Sequence, residues 1–470
     1  MTSTLSARAV NRAVAQPPDR PVAPHPAHAR VHPLRTRHHV VAPSLRMPDS
    51  APGSVLAAIR QRGPVARDAI TTLTGLSIAT VNRQVSALLD AQLLRERPDL
   101  AVAGAIGRPR IPVEINHEPY LTLGVHIGAR TTSIVAVDLF GRTLDAVETP
   151  TPGGTPTVAL AALADSARRY LARWHRRRPL WVGVATGGVV DSTAGLVDHP
   201  RLGWSQAPVG AVLASALGVP VSVASHVDAM AGAELLLAAR QARRADRTSS
   251  LYVYARETVG FALVIGGQVH TPASGPGTIT GLPVHSDLLA GGCASLEAAV
   301  SDEAVVAAAR GMGILPPARG AGNVSPARGA GNVSPARGAG ILASAGPNST
   351  TAALARLARQ DRDGRSAGAR ELLVERARVL GGAVALLRDL LNPDDVVVGG
   401  QAFTEYPEGL PDVRAAFDTH SVLGSRDIRV TAFGNRVQEA GAGVVSLSSL
   451  YADPLGALRR SAHRRPEVSA

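Results

Sequence analysis

Apolar residues recur at the spacing of amphipathic helices in one compact stretch, residues 48–116. Three short helices account for this spacing, and Ser54 is placed to cap the first of them. A polar loop and a basic segment around Gly107 follow the helices. The apolar positions of the first helix are Val55, Leu56 and Ile59. We therefore expect a three-helix core followed by a β-hairpin, which is the arrangement of a winged helix-turn-helix.

The second and third helices carry the signals of the turn between them. Gly75 can take the left-handed backbone conformation that ends a helix. Ser77 is placed to cap the next helix with its side chain. The apolar residues that share one face of this third helix are Ile78, Val81, Val85, Leu88 and Leu89. The opposite face is then left for solvent or for a partner.

The polar residues of the third helix suit recognition of DNA bases, because Arg, Asn and Gln pair bidentately with guanine or adenine edges. Arg108 and Arg110 in the predicted wing are placed to reach phosphates or a narrow minor groove. A packing module with an exposed polar helix is the alternative, but cap, turn, period and wing together favour DNA binding. The candidate base-contacting residues are Ser77, Thr80, Asn82, Arg83 and Gln84.

Residues 119–455 alternate short Val-rich strands with Ala-rich helices, which indicates an α/β body. Three segments lack this pattern. Residues 1–47 contain Pro, His and Arg without apolar periodicity, so we expect a disordered basic leader; Met47 at its end is a candidate translation start. A repeated nonapeptide within residues 316–346 predicts a flexible low-complexity insert. Residues 456–470 predict a basic tail.

Positive charge is concentrated at the N-terminal end of the chain. The net charge is +12, and residues 1–118 hold 15 Arg against 8 acidic residues. This imbalance favours a polyanionic partner such as nucleic acid, although a solvated basic tail would have the same composition. Lysine is absent, and the abundance of Ala, Gly and Pro indicates a GC-rich genome and not a function.

Cys293 is the single cysteine, so the chain can form neither an intramolecular disulfide nor a multi-thiolate metal site. We expect this side chain to be a small buried apolar group. Apolar stretches fall short of the roughly 20 residues that span a bilayer. The Arg-rich N-terminus is similar to a transit peptide but has no clear amphipathic period. The sequence therefore predicts a cytoplasmic protein with no membrane partner.

Short motifs in the body carry a more specific resemblance. In chain order they are Leu123-Gly124-Val125-His126-Ile127-Gly128, Val135-Ala136-Val137-Asp138-Leu139-Phe140-Gly141, Gly183-Val184-Ala185-Thr186-Gly187-Gly188-Val189-Val190-Asp191, Gly203-Trp204, Gly218-Val219-Pro220-Val221 and Asn392-Pro393-Asp394-Asp395-Val396-Val397-Val398-Gly399-Gly400. From the helix-turn-helix to about Leu455 the chain resembles the ROK family (repressors, open reading frames, kinases), and in particular its actinobacterial regulators. The resemblance implies an α/β fold with two actin-like, sugar-kinase-like lobes and a cleft between them.

The resemblance also identifies kinase residues that this chain lacks. The first phosphate loop of the family begins with Asp-x-Gly-Gly-Thr, and here the Asp is replaced by His126. The second, glycine-rich phosphate loop aligns with a segment that contains Arg256 and Thr258. The family's catalytic Asp aligns with His226, and its zinc-binding His aligns with Gly281. Because phosphoryl transfer depends on positioning and charge neutralisation, we expect no catalytic residues, no metal and no cofactor.

The favoured function is a sequence-specific transcriptional regulator, most simply a repressor, whose inactive body senses an effector or serves dimerisation. The resemblance implies a double-stranded DNA operator, a sugar or sugar derivative as effector, and a homodimer or homotetramer. A divergent ATP-dependent sugar kinase fused to a DNA-binding module is one alternative, and a scaffold without ligands is another. The residues that map near the family's sugar site, either as ligand contacts or as ordinary cleft residues, are Trp204, Ser205, His226, Asp228 and Glu297.

Overall fold

The computed structural model describes residues 40–101, 110–238, 249–272, 275–317, 350–360, 364–423 and 427–462. All of them belong to His38–Ala470, one of the two compact units of the chain. Most of the predicted leader, Arg108 in the predicted wing, nearly all of the repeat insert and the end of the predicted tail lie outside the described residues.

A three-helix module is followed by a two-stranded wing. Its elements are α1 (Ala51–Arg62), α2 (Arg67–Thr74), α3 (Ile78–Asp90), β1 (Leu94–Glu96) and β2 (Val113–Ile115). The strands β1 and β2 pair antiparallel, and Val65 and Val113 exchange two backbone hydrogen bonds of 3.0 Å. The predicted winged helix-turn-helix fold is therefore confirmed.

Two details of the module differ from the prediction. The cap of α1 is Ser50, not Ser54, because its hydroxyl accepts a hydrogen bond of 3.2 Å from the backbone N–H of Gly53. Val81, Val85 and Leu88 are buried as expected, but Ile78 is 50% exposed. Ile78 is the first residue of α3. Its position in the helical period matches the apolar face, but at the end of the helix its side chain projects beyond the module core.

The first lobe of the body contains β3 (Tyr120–Ile127), β4 (Thr131–Val137), β5 (Thr143–Pro150), α4 (Pro156–Ala172), β6 (Arg178–Thr186), β7 (Val189–Asp191), β8 (Leu196–His199), β9 (Trp204–Ala207), α5 (Val209–Leu217) and β10 (Val221–Ser225). Within the described residues its main sheet has the strand order β10-β6-β3-β4-β5, and β7, β8 and β9 form a small antiparallel sheet. The helix α6 (His226–Leu237) follows directly after β10.

The second lobe contains β11 (Ser250–Ala255), β12 (Val259–Ile265), β13 (Gln268–His270), β14 (Gly277–Thr278), β15 (Pro283–Ser286), α7 (Asp287–Ala290), β16 (Gly292–Ser295), α8 (Leu296–Val300), α9 (Asp302–Gly311), α10 (Thr350–Ala358), α11 (Gly364–Leu391), β17 (Asp395–Gly399), α12 (Gln401–Thr404), α13 (Leu410–His420) and β18 (Ile428–Val430). Its described sheet has the order β13-β12-β11-β17-β18, with β14 beside β12. Parallel pairs beside antiparallel pairs in both main sheets fit the predicted actin-like α/β fold.

Two C-terminal helices, α14 (Val437–Ala452) and α15 (Pro454–Ala462), pack against both the body and the module. A Cβ atom at Gly183 on β6 would collide with the backbone of Ser446, so α14 lies directly on the sheet of the first lobe. The predicted basic tail is wrong for its first residues, because α15 continues to Ala462 and buries Ala457. Alanine and glycine at these positions allow the close helix packing.

Residues 40–47, which we call the strap, run along the body before α1 begins. The backbone N–H of Val41 donates to the carbonyl of Val221 at 2.9 Å, and Arg46 forms a β-bridge with Gln268. The side chain of Leu45 is buried. The prediction of a leader without packed structure is therefore wrong for this part. Its few apolar residues have no period of their own because they fill sites on other elements.

Candidate nucleic-acid interface and interlobe cleft

The outward side of α3 is held in place by the turn before it. Gly75 has φ 70° and ends α2 in the left-handed conformation. The hydroxyl of Ser77 accepts a hydrogen bond of 3.2 Å from the backbone N–H of Thr80 and so caps α3. Because both ends of the turn are fixed, α3 is rigidly presented on the side away from the module core.

The polar side chains predicted to contact DNA lie on this side of α3. Asn82 and Arg83 are exposed, while Thr80 and Gln84 are half-buried. Within the described part of the chain, no hydrogen bond or ion pair involves the side chain of Arg83. Its guanidinium is therefore available to a partner, and its five donors match the acceptors of guanine or a phosphate.

Two apolar residues that sequence reasoning did not assign to this surface flank the turn. Leu73 on α2 and Ile78 on α3 are both exposed, by 42% and 50%. Exposed aliphatic groups beside polar base-reading residues can contact thymine methyl groups. The helical period assigned Ile78 to the core, and only its end position on α3 could have indicated otherwise.

The base of the wing holds its arginines in internal ion pairs. Arg110 lies 2.5 Å from Asp68 in the first turn of α2. Arg95 and Arg97 both bind Glu114, at 2.7 and 2.9 Å. The described wing arginines are thus partly neutralised, and a phosphate contact by Arg110 has to compete with Asp68.

The first phosphate-loop position of the cleft is filled by a buried histidine. The ring of His126 lies parallel to the ring of His226, with the two centroids 6.1 Å apart. Burial lowers the pKa of His126 well below its usual range and lowers the pKa of His226 to about 4. Both rings are therefore neutral at pH 7, and a neutral imidazole of such low basicity does not attract phosphate or magnesium.

The second phosphate-loop position is filled by a hydrogen-bonded network. Arg256 donates to the side-chain carbonyl of Gln438 at 2.6 Å, and the amide of Gln438 donates to the Tyr254 hydroxyl at 2.9 Å. Asp302 lies 3.8 Å from Arg256 and accepts a hydrogen bond of 2.7 Å from Arg376. The charged groups here pair with one another.

Glu303 at the start of α9 joins the two lobes at the rim of the cleft. Its carboxylate lies 2.9 Å from Arg130 and 2.7 Å from Arg201, which both belong to the first lobe. Arg201 also donates to the backbone carbonyl of Glu257 at 2.9 Å. These contacts join the two lobes directly.

Two of the five candidate effector contacts lie close to the same histidine. The ring of the buried Trp204 packs against His199 at 6.4 Å between centroids, and a Cβ atom at Gly187 would contact both His199 and His226. Ser205 on β9 is exposed. Glu297 accepts a hydrogen bond of 2.7 Å from Thr258. The buried Asp228 lines a separate cavity of about 650 Å³ next to the strap.

Neither metal ligation nor membrane insertion gains support from the described residues. They contain no group of His, Cys, Asp and Glu with a geometry that would hold a metal ion. Cys293 was expected to be buried but is exposed on β16, where its sulfur lies 3.5 Å from His285. Among the described helices, none combines the length and apolar character needed to cross a bilayer.

Comparisons with known proteins show which family the chain is similar to. A family model described as ROK family matches residues 122–451. A transcriptional regulator of Mycobacterium tuberculosis is 66% identical over 432 residues, which cover 92% of this chain and 93% of that protein. The DNA-binding transcriptional repressor Mlc of Escherichia coli is 24% identical over 198 residues, which cover 41% of this chain and 48% of Mlc.

Solved structures show likeness of the fold. A ROK family transcriptional regulator described as a homolog of E. coli Mlc has a TM-score of 0.65 and 21% identity, and the match covers 87% of this chain and 98% of that one. A ROK family glucokinase from Streptomyces griseus, solved with glucose and AMPPNP, has a TM-score of 0.52 and 21% identity, with 69% and 99% covered.

Proposed function

The chain belongs to the ROK family, and on that premise we propose that it is a sequence-specific DNA-binding transcriptional regulator that acts as a repressor. The observation that carries this proposal is the outward polar side of α3, above all the exposed Arg83, whose side chain has no partner among the residues that the structure describes. It is supported by the 66% identity to a protein named a transcriptional regulator over both module and body. The more distant relatives include proteins named repressors.

DNA is read by α3 in the major groove, and the wing contacts the backbone beside it. Arg83, Asn82 and Gln84 contribute the base contacts, and Ser77 and Thr80 lie at the helix N-terminus, where phosphates bind. Arg108 and Arg110 belong to the wing and contact phosphates. For Arg110 to do so, its ion pair with Asp68 must break and a phosphate must replace the carboxylate.

The test begins with selection of binding sites from random-sequence duplexes by the purified full chain. Arg83→Ala should weaken binding to the selected site by roughly 1–3 kcal/mol and relax discrimination at one or two base pairs. Arg168→Ala is the matched control, because Arg168 is an exposed arginine on α4 of the body. If Arg83→Ala binds like the wild type while both remain folded, α3 is not the recognition helix.

Two subunits are expected to bind one operator, so the selected sites should be inverted repeats. An apolar patch at the end of α11 supports self-association as a homodimer. Leu390 is 71% exposed, and Leu386 and Val422 beside it are also exposed. Asp389 connects the two segments by accepting a hydrogen bond of 2.8 Å from the backbone N–H of Val422. A monomeric mass in solution, with and without DNA, would contradict this part.

The kinase-like body is proposed to have no phosphotransferase activity and to serve effector sensing or dimerisation. His126, Arg256 and His226 stand where a ROK kinase needs a carboxylate, a glycine loop and a catalytic base. Incubation with ATP, magnesium and a panel of hexoses should yield no phosphorylated sugar above a blank without protein. Turnover that His226→Ala abolishes would favour the alternative, a divergent sugar kinase.

A further inference from the structure

A group of arginines covers the surface of the body where α4 ends and β6 begins. Residues 169–178, which we call the basic strip, contain five arginines and no acidic residue. Four of these arginines are exposed and Arg177 is half-buried. A surface of this composition has a positive potential that attracts polyanions.

The carboxylates near the basic strip neutralise only a small part of its charge. Asp145 lies 3.2 Å from Arg173, whose side chain remains 58% exposed. Glu118, between the wing and the body, is already bound to Arg95 of the wing at 2.8 Å. The exposed arginines of the strip that form no ion pair within the described part of the chain are Arg169, Arg176 and Arg178.

Helix capping explains part of this charge but not all of it. Arg169 lies in the last turn of α4 and Arg173 at its C-cap, where positive charge interacts favourably with the helix dipole. The two residues are four positions apart, so they also repel each other. Arg176 and Arg178 lie beyond the end of the helix and gain nothing from its dipole. The strip therefore carries more positive charge than its own fold uses.

The basic strip is attached to the junction between the body and the module. The guanidinium of Arg177 donates a hydrogen bond of 2.6 Å to the backbone carbonyl of His117, which lies two residues after the end of β2. The hydroxyl of Tyr120 donates at 3.1 Å to the carbonyl of Ala91, the C-cap of α3. These bonds hold the strip beside the C-terminal end of α3 and the base of the wing.

The helix α15 continues the positive surface from the strip to the module. It contacts both β6 and α3. Its exposed Arg460 lies over the ring of Trp181 on β6, with 5.8 Å between the guanidinium carbon and the ring centroid. Exposed arginines thus extend from the end of α4 across β6 to the helix that packs beside α3.

The chemistry of the strip and its location favour DNA as the partner. The planar guanidinium group matches the oxygen atoms of a phosphate in a bidentate pair. A series of arginines on rigid elements suits a partner with phosphates at regular intervals, and such contacts position a duplex without reading its sequence. The adjoining module carries the surface that is proposed to bind a duplex.

We propose that the basic strip binds the phosphate backbone of DNA outside the base pairs that α3 reads, so that the affinity for an operator depends on the duplex that flanks it. The body then contributes directly to DNA binding. The role of the operator rests on the proposed function, whereas binding of phosphates by the strip does not require a specific sequence.

The test compares two triple variants with the wild-type full chain. The strip variant carries Arg169→Gln, Arg176→Gln and Arg178→Gln. The control variant removes three exposed arginines from the second lobe and carries Arg310→Gln, Arg378→Gln and Arg414→Gln. Both variants lose the same net charge, so only the position of the charge differs. Unchanged melting temperatures verify that both are folded.

Fluorescence anisotropy at several salt concentrations measures the Kd for the selected site without flanks and for the same site within random-sequence flanks. The wild type and the control variant should bind the flanked duplex about tenfold more tightly or better, with a slope of log Kd against log salt that is steeper by about 2–3 units. The strip variant should bind both duplexes almost equally. It should still discriminate the selected site from a scrambled one, because its base contacts are intact.

Equal affinity of the wild type for the two duplexes would overturn the proposal, as would equal losses in the strip and control variants. The proposal is also wrong if the wild type but not the strip variant binds phosphatidylglycerol vesicles while both bind the flanked duplex alike, because the strip then serves a membrane surface. If selection yields no preferred sequence, the proposed function fails. The same comparison on long and short random-sequence duplexes then still decides whether the strip binds DNA.

Discussion

The outward side of α3 and the interlobe cleft both carry arginines, yet the two regions use them differently. Arg83 on α3 is exposed and has no partner in the described part of the chain. Arg256 in the cleft is only 16% exposed on its side chain and is bound to Gln438, close to Asp302. An exposed charge stays solvated and available, whereas a buried charge needs partners within the protein.

The difference indicates which of the two regions has a charged group available to bind a partner and which has its charged groups bonded within the protein. The cleft positions that a kinase leaves open for nucleotide phosphates are occupied here by His126, the Arg256 network and the contacts of Glu303. On the surface of α3, the side chain of Arg83 has no partner among the described residues. Function in this chain is therefore expected at the module surface.

The largest expected effect is in the cleft, from Arg376→Met. Arg376 is 4% exposed on its side chain and pairs with the nearly buried Asp302. Removing it leaves that carboxylate with Arg256 alone, at 3.8 Å. The free energy of unfolding should fall by about 3 kcal/mol, as measured by urea denaturation. Arg378→Met on the same helix, where the arginine is exposed, should change it by less than about 0.5 kcal/mol. Equal effects of the two changes would show that the cleft network contributes no stability.

The next effect concerns Asp228, a buried acid that forms no ion pair within the described residues. Its pKa is raised to about 6, so the folded protein holds this proton more tightly than the unfolded chain does. The stabilising contribution is present at low pH and is lost as the pH rises through about 6. Asp228→Asn should therefore raise the free energy of unfolding at pH 7 by about 1–2 kcal/mol and flatten its pH dependence. Urea denaturation between pH 4 and 7 measures this, with Asp165→Asn as control. A pH profile identical to that of the wild type would contradict the assignment.

A smaller effect is expected on the α3 surface from Ile78→Ala. Ile78 is 50% exposed and does not belong to the hydrophobic core cluster of the module, so stability should change little. Affinity for the selected duplex should fall by about 1 kcal/mol, because an apolar contact with a base or sugar is lost. Fluorescence anisotropy measures the Kd, and Val158→Ala, which truncates an exposed aliphatic residue of α4, should have no effect. A loss of stability without a loss of affinity would show that Ile78 contributes to the module core and not to DNA binding.

The smallest expected effect is on DNA affinity through Arg110, which is held in an ion pair, in contrast to Arg83. Asp68→Ala removes the ion pair that holds Arg110, so DNA binding should strengthen by about 0.5 kcal/mol. The slope of log Kd against log salt should become steeper by about one unit, because Arg110 then neutralises a phosphate without competition. The double variant Asp68→Ala with Arg110→Ala should lose both gains. If Asp68→Ala alone leaves affinity and salt slope unchanged, Arg110 does not contact DNA.

The sequence by itself determined the elements whose signals are local. Gly75, Ser77 and the period of Val81, Val85 and Leu88 predicted the turn, the cap and the buried side of α3, and the structure has all of them. The alternation of strands and helices predicted an α/β body, and the family motifs predicted its two lobes. These predictions succeeded because backbone conformation and amphipathic spacing depend on residues a few positions apart.

The tertiary structure alone decided where the polar residues of the body point and which segments pack. The strap looked like a leader because Leu45 has its partners on α6 and β13, far along the chain. Asp228 and His226 are two positions apart, yet only Asp228 lines the cavity beside the strap. Arg256 donates a hydrogen bond to Gln438, which lies 182 residues later in the sequence. Such pairings follow from how helices and sheets pack, and no local spacing in the sequence encodes them.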